Sequence, residues 1–227
     1  MKVAIMQPYL FPYIGYWQLI NAVDQFVIFD DVNFIKKGFI QKNSILLNNN
    51  AYVFNLELQK ASQNKLINQI EIGGNSKKIL KTIYLSYKKA PYFYQTYPVI
   101  ENILNQNEFC LSKFIGNSLI KISEHLDLNV QFIYSSHIKK DNALKSQEKI
   151  INICKKLNAK IYINSIGGKI LYDKKDFDNE NINLKFLKSD TIKYKQYNND
   201  FIPNLSVIDV LMFNNIESVK LLLNKYS

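Results

Sequence analysis

Short apolar runs that end in polar or turn-forming residues organise the start of this chain. The run 3–6 is followed by Gln7-Pro8, and the run 26–29 is followed by Asp30-Asp31. Runs of this length predict buried strands, and Pro8 ends the first one because proline cannot donate a ladder hydrogen bond. An apolar stretch that ends near residue 22 predicts a helix between them. The opening therefore predicts strand, loop, helix and strand, with polar groups where each strand ends.

The rest of the chain continues this alternation of strands and helices. The pattern predicts strands at 51–58, 67–72, 130–134, 160–163 and 182–187, and helices at 76–89, 111–126, 146–157, 207–213 and 217–223. Strands that alternate with helices favour a parallel sheet. We therefore expect one α/β domain over residues 1–227, Rossmann-like, with a mainly parallel sheet, flanking helices and a helical insertion at about 76–127.

Charge and composition exclude several classes of function. The net charge is +10, yet all 29 basic residues are lysine and they are spread along the chain. A nucleic-acid-binding protein would concentrate its basic residues and use arginine to read base edges, so we expect no nucleic-acid partner. The two cysteines and two histidines lack the spacing of metal ligands. No apolar stretch reaches the length of a membrane span, and the cytoplasm is the expected location.

The polar residues after the strands are the first candidates for chemistry. Asp30 or Asp31 could act as a base on an amine or bind Mg²⁺ or a ribose, although aspartate is also common in ordinary turns. Gly167-Gly168 follows a predicted strand and could let the backbone approach a phosphate, while Asn164 adds a side-chain donor there. In open α/β sheets, ligands bind just beyond such strand ends.

Several blocks of sequence resemble the WbqC-like family in order and spacing over essentially the full chain. The blocks that carry this resemblance are Met6-Gln7-Pro8, Phe11-Pro12, Gly15-Tyr16, Asp30-Asp31-Val32, Lys36-Lys37-Gly38, Lys42-Asn43, Tyr162 to Gly168, Tyr194-x-Gln196-Tyr197 and Leu205 to Asn214. The chain departs from the family pattern at Lys37 and Lys42, where arginine is common. Lysine keeps the charge at these positions but loses the two-pronged geometry of arginine.

The resemblance implies a role in making bacterial surface polysaccharides such as O-antigen or capsule. It suggests a cytoplasmic transferase that moves an acyl or aminoacyl group, for example glycyl, to the amine of a nucleotide-linked amino sugar. On this interpretation Asp31 or Asp30 is the catalytic base, and a substitution of Asp31 that stops turnover should leave the melting temperature nearly unchanged. The expected substrate-binding residues are Gln7, Tyr16, Lys36, Lys37, Lys42, Asn43, Asn164, Gly167, Gly168 and Gln196.

A more distant similarity concerns the opening segment. It looks like the start of nucleotidylyltransferases and pantothenate-synthetase-like ligases, whose two motif histidines would fall on Tyr13 and Tyr16, on either side of Gly15. The likeness supports a nucleotide-binding sheet, but without the histidines the usual adenylyl transfer loses its imidazolium groups. Two alternatives stay open: an ATP-dependent ligase or nucleotidylyltransferase-like enzyme, and a non-catalytic sugar-nucleotide-binding protein. ATP with Mg²⁺ also stays open as a cofactor.

Overall fold

The computed structural model describes residues 1–36, 38–197 and 200–227, and these residues form strands, α-helices and short 3₁₀ helices. The strands are β1 (Lys2–Met6), β2 (Gln25–Ile28), β3 (Lys42–Leu47), β4 (Asn50–Asn55), β5 (Leu58–Gln59), β6 (Glu71–Ile72), β7 (Gln131–Tyr134), β8 (Ile161–Ser165) and β9 (Asn183–Leu187). The α-helices are α1 (Ile14–Asn21), α2 (Ser76–Tyr87), α3 (Phe93–Leu104), α4 (Leu111–His125), α5 (Ser146–Lys156), α6 (Lys174–Asn179), α7 (Val207–Phe213) and α8 (Ile216–Leu223). The 3₁₀ helices are Ile67–Gln69, Ser135–His137 and Ile166–Leu171.

Five parallel strands form the main sheet in the order β7-β2-β1-β8-β9. Counted along the chain within the sheet, this is the order 3-2-1-4-5 of doubly wound Rossmann-like folds, which confirms the predicted α/β class. The chain leaves β1 toward one edge of the sheet and later returns through β8 on the other side of β1. The topological switch point therefore lies between the carboxyl ends of β1 and β8.

Both faces of this sheet are buried, because its side chains alternate between two apolar clusters. Val3 and Ile5 of β1 pack with Ile150 and Phe177, which belong to α5 and α6. Ala4, between them, packs into the larger cluster on the opposite face, with the residues of α1, α7 and α8. A parallel sheet covered on both sides needs strands that are apolar throughout, which is why the first strands appear as continuous apolar runs.

Helices α2 to α4 occupy the predicted helical insertion, but the predicted strand 67–72 is wrong for most of its length. Residues 67–69 form a 3₁₀ helix, and only Glu71–Ile72 pair with another strand, β5. The amides of Ile67 and Asn68 donate to the carbonyls of Val32 and Asp30, each over 3.0 Å. These amides therefore bond to the loop after β2 and do not pair with a neighbouring strand.

Candidate functional site

A cavity of about 560 Å³ lies at the switch point. Its walls come from the end of β1 and the loop after it, the start of α1, the segment around Phe39, and the end of β8 with the following 3₁₀ helix. The lining residues are Ile5, Met6, Gln7, Pro8, Tyr9, Tyr13, Gly15, Tyr16, Leu19, Phe29, Ile35, Gly38, Phe39, Ile40, Ile150, Asn164, Ser165, Gly167, Gly168, Leu171 and Tyr172. Of the predicted binding residues, the structure thus brings together Gln7, Tyr16, Asn164, Gly167 and Gly168.

The loop between β1 and α1 is fixed in an unusual conformation next to the cavity. Phe11 has a φ of 45°, in the left-handed region that side chains other than glycine rarely adopt. Its carbonyl accepts hydrogen bonds from the Asn43 side-chain amide and, over 2.7 Å, from the Ser206 hydroxyl. Asn43, a predicted binding residue, is buried under this loop. In this structure it positions the cavity wall and does not line the cavity.

Tyrosine rings form much of the wall at the start of α1. The Tyr16 hydroxyl donates to the Gln7 carbonyl over 2.8 Å, and the Tyr9 ring meets the Tyr16 ring edge-on at 6.0 Å between centroids. Burial, with the neighbouring Tyr13 second, raises the pKa of Tyr9 to about 12. Burial also raises the pKa of Tyr16 far above its ordinary value. Both phenols are therefore neutral at physiological pH and offer stacking surfaces and hydrogen bonds.

The Tyr13 ring occupies the space that a side chain at Gly15 would enter. A Cβ atom at Gly15 would lie 2.5 Å from Cε2 of Tyr13, closer than real contacts allow. The ring therefore lies across the first turn of α1, whose N-terminus has no side-chain cap. Among its first amides, that of Tyr16 donates to the Tyr13 carbonyl over 3.1 Å, and the positive end of the helix dipole lies at this turn. This end of α1 borders the cavity through Tyr13 and Gly15.

Asn164 and the two glycines shape the opposite wall. The Asn164 side-chain oxygen accepts from the Ser165 amide over 2.7 Å, and its Nδ2 donates to the Tyr162 hydroxyl over 3.1 Å. Gly168 passes so close that a Cβ atom there would lie 2.9 Å from Nδ2 of Asn164. At Gly167 the nearest atom would be Oγ of Ser165 at 4.0 Å, so its backbone is open to an approaching ligand.

Asp30 lies outside this cavity, in a polar cluster where β2 and β7 end. Its buried carboxylate accepts from the Ser136 amide at 2.9 Å, the Ser136 hydroxyl at 2.7 Å and the Asn68 side-chain amide at 3.3 Å. These bonds tie the loop after β2 to the residues after β7. Hydrogen bonds from several donors offset the free-energy cost of burying this carboxylate, so the arrangement suits a structural role.

Asp31 forms buried ion pairs in the same cluster. Its Oδ2 lies 2.6 Å from Nζ of Lys140 and 3.3 Å from Nζ of Lys149, and Lys149 also donates to the Asp31 carbonyl over 2.9 Å. Burial alone would raise the pKa of Asp31, but the hydrogen bond from Lys140, the neighbouring Ser135 side chain and the charges of both lysines lower it below its ordinary value. The carboxylate is therefore ionised at neutral pH.

Gln196 belongs to a different network, centred on Asp209. Asp209 is fully buried and accepts from the hydroxyls of Tyr87 at 2.7 Å and Tyr194 at 2.6 Å. Gln196 Nε2 also donates to this carboxylate over 2.7 Å, and both ends of the Gln196 amide bond the backbone of Ile202. Burial raises the pKa of Asp209 despite these donors. The network holds the segment before α7 against α2.

Lys36 and Lys42, the predicted lysines that the structure describes, lie around the cavity mouth or beyond it. Nζ of Lys42 is 5.2 Å from the ring centroid of Phe39, which lines the cavity. Lys36 is exposed on the loop that leads to Phe39. Lys37 lies outside the described residues. Among the lining residues that the structure describes, none is a carboxylate, histidine or lysine, so the wall itself is aromatic, aliphatic and neutral-polar.

The sequence-based prediction missed the aromatic part of the site, namely Tyr9, Phe39 and Tyr172. Each lies two to four residues from a predicted binding residue, but aromatic residues are equally common in cores. Their exposure to a cavity depends on the tertiary fold. In the described part of the chain, no group of three or more His, Cys, Asp or Glu side chains could hold a metal ion, and no helix has the length and apolar character of a membrane span.

Comparison with known proteins identifies a family and a relative that aligns over nearly the whole chain. The sequence model of the WbqC-like protein family matches residues 7–221. A Mycobacterium tuberculosis protein with the name uncharacterized protein Rv1507c is 24% identical over 218 residues, which cover 94% of this chain and 93% of that protein. No solved structure matches the chain.

Proposed function

Because this chain belongs to the WbqC-like protein family, we propose that its switch-point cavity binds a nucleotide-linked amino sugar and that the protein transfers an acyl or aminoacyl group, for example glycyl, to the sugar amine. The cavity itself is the observation that carries the proposal. It lies where doubly wound sheets bind nucleotides, and its volume of about 560 Å³ suits a ligand of this size.

The two polar walls of the cavity suit a diphosphate. The uncapped N-terminus of α1 and the open backbone at Gly167 border the same space. Backbone amides at a helix start and at a glycine turn bind phosphate oxygens by direct donation, and the helix dipole adds to the attraction. Lys42, at the mouth, adds a positive charge near the path of an anionic ligand.

The aromatic and amide side chains suit the base and the sugar. Tyr9, Phe39 and Tyr172 offer ring faces or edges, and Gln7 and Asn164 offer neutral hydrogen-bonding groups. Rings of this kind bind nucleobases and sugars through stacking, while amides select orientation. A neutral wall also avoids a fixed carboxylate that would repel the diphosphate.

The transfer step needs a group that takes a proton from the amine. The amine nitrogen attacks the acyl carbonyl carbon, the leaving group departs, and one N–H proton passes to a base. Asp31 stays the proposed base because it is ionised and follows Phe29, a residue that lines the cavity, by two positions, although Asp31 itself lies beside the cavity and not in its wall. The saturated hydrogen bonding of Asp30 makes it the weaker choice.

Binding is tested by thermal shift with nucleotide sugars that carry or lack an amino group, and with ATP and Mg²⁺. A ligand at 100 times its Kd adds about 2.7 kcal/mol, which raises the melting temperature by roughly 5–11 °C at this chain length. The matched variants are Gly167→Leu and Gly74→Leu, because a Cβ fits at either glycine and only Gly167 lines the cavity. Gly167→Leu should lose the shift and Gly74→Leu should keep it.

Transfer is tested separately by mass spectrometry of the amino sugar after incubation with acyl and aminoacyl donors. The proposal predicts a mass gain on the amino sugar and none on the matched hydroxyl sugar. Binding without any mass gain would leave a sugar-nucleotide-binding protein, and pyrophosphate release from ATP would support the ligase alternative. A shift that survives in Gly167→Leu would place the ligand elsewhere and refute the proposed site.

A further inference from the structure

Large apolar side chains are exposed around the mouth of the cavity. On one side lie Ile35 and Phe39, with 52% and 64% of their surface exposed; on the other lie Ile170 and Leu171, with 93% and 66%. Ile166, on the same 3₁₀ helix as the latter two, is 45% exposed. Single exposed apolar residues are ordinary, but several on two segments that border one opening indicate an interaction surface.

Lysines are interleaved with these apolar residues. We use the term apolar rim for the described residues 35–36, 38–39 and 166–171, within which the charged side chains are Lys36 and Lys169. Both lysines are exposed. The whole chain carries a net charge of +10. The rim therefore combines protruding apolar groups with positive charge and, among its described residues, has no acidic group.

We propose that the apolar rim docks on an anionic membrane surface, so that the cavity opens at the lipid–water interface. Apolar side chains on short protruding segments insert at the boundary between headgroups and acyl chains, and neighbouring lysines pair with lipid phosphates. The charge of the whole chain attracts it to the same surface. This inference does not rest on the proposed function, because docking needs no ligand in the cavity.

Two other occupants fit the rim less well. The apolar part of a ligand in the cavity would not cover Ile166 or Ile170, because neither residue lines the cavity. A second copy of the chain would bring the lysines of both rims together in a symmetric interface, and two chains of +10 repel each other. An anionic lipid surface complements both the apolar groups and the charge.

The test is sedimentation of the full chain with vesicles of phosphatidylcholine alone or mixed with phosphatidylglycerol. Ile170→Asp is the rim variant, and Leu221→Asp is its matched control, since Leu221 is 70% exposed on α8, away from the rim. The wild type and Leu221→Asp should bind the anionic vesicles, and Ile170→Asp should bind them at least roughly tenfold more weakly. Added salt should weaken binding.

The charge contribution is tested with Lys169→Gln and its control Lys113→Gln, an exposed lysine on α4. Loss of one lysine next to the surface should weaken vesicle binding about fivefold, and the control should have a smaller effect. Failure of the wild type to bind anionic vesicles would overturn the proposal. Equal weakening by Ile170→Asp and Leu221→Asp would do so too, as would rim-dependent self-association without vesicle binding.

Discussion

Replacing Asp31 by asparagine should destabilise the protein far more than the same change in a surface ion pair. Among the described residues, two pairs share the same separation of 2.6 Å between lysine nitrogen and carboxylate oxygen. In Lys140–Asp31 the side chains are 1% and 10% exposed, and in Lys155–Glu180 they are 51% and 40% exposed. The two pairs therefore differ in burial, and Asp31 also has a second lysine partner, Lys149, at 3.3 Å.

The expected magnitudes follow from this difference in burial. Asp31→Asn removes the carboxylate partner of the Lys140 ammonium, whose side chain is only 1% exposed. An uncompensated buried charge of this kind costs about 3–5 kcal/mol. Glu180→Gln removes a solvated pair whose contribution is about 0.2–1 kcal/mol. At this chain length the melting temperature should fall by roughly 6–20 °C for Asp31→Asn and by at most about 4 °C for Glu180→Gln.

The assay is urea unfolding at neutral pH, followed by circular dichroism, for both single variants and for the triple variant Asp31→Leu/Lys140→Met/Lys149→Met. The triple variant should be more stable than Asp31→Asn, because replacement of the carboxylate and both of its lysine partners by apolar groups leaves no charge of this cluster buried and unpaired. Equal and small losses in Asp31→Asn and Glu180→Gln would refute the reasoning. Such a result would mean that Lys140 reaches solvent when its partner is removed.

The ion pairs also change how a catalytic role for Asp31 must be tested. The sequence alone led us to expect a loss of turnover with an unchanged melting temperature, whereas the structure predicts that both fall. Turnover of Asp31→Asn must therefore be measured per folded molecule, well below its melting temperature. Normal turnover under those conditions would remove Asp31 from the chemistry.

Three further predictions concern hydrogen bonding, the cavity wall and pH. Tyr87→Phe removes a donor to the buried Asp209 and the acceptor for the Leu46 amide, so the free energy of unfolding measured in urea should fall by about 3 kcal/mol. A loss below about 0.5 kcal/mol would contradict this prediction. Gly15→Ala must displace the Tyr13 ring. The rise in melting temperature that the cavity ligand produces should therefore become smaller, by more than the melting temperature of the ligand-free protein falls. An unchanged ligand-induced rise would show that the ring does not shape the site. Because folding lowers the pKa of Asp31, the carboxylate stabilises the fold above its ordinary pKa of 3.8, and this stabilisation is lost as the pH falls through the folded pKa. The difference in unfolding free energy between wild type and Asp31→Asn, measured in urea, should therefore narrow below about pH 4. A constant difference would argue against the ion pairs.

The sequence by itself determined the elements of the sheet and the polar groups that follow its strands. β1, β2 and β8 are apolar runs because a doubly covered parallel sheet buries both faces, and Pro8 ends the first run because it cannot join a ladder. Gln7, Asn164 and the two glycines after β8 could be predicted as site residues, because parallel strands end at the same edge of a sheet.

Only the tertiary structure decided which strand ends share the cavity. The order β7-β2-β1-β8-β9 places Gln7 and Asn164 at the ends of adjacent strands, where both line one cavity although they are far apart in the sequence, and it places Asp30 and Asp31 beside β7. Strand order depends on how crossover helices pack on the two faces, and no local pattern encodes it. Contacts between distant segments also decide that Asp31 is buried against Lys140 and Lys149, and that the apolar side chains of the rim are exposed.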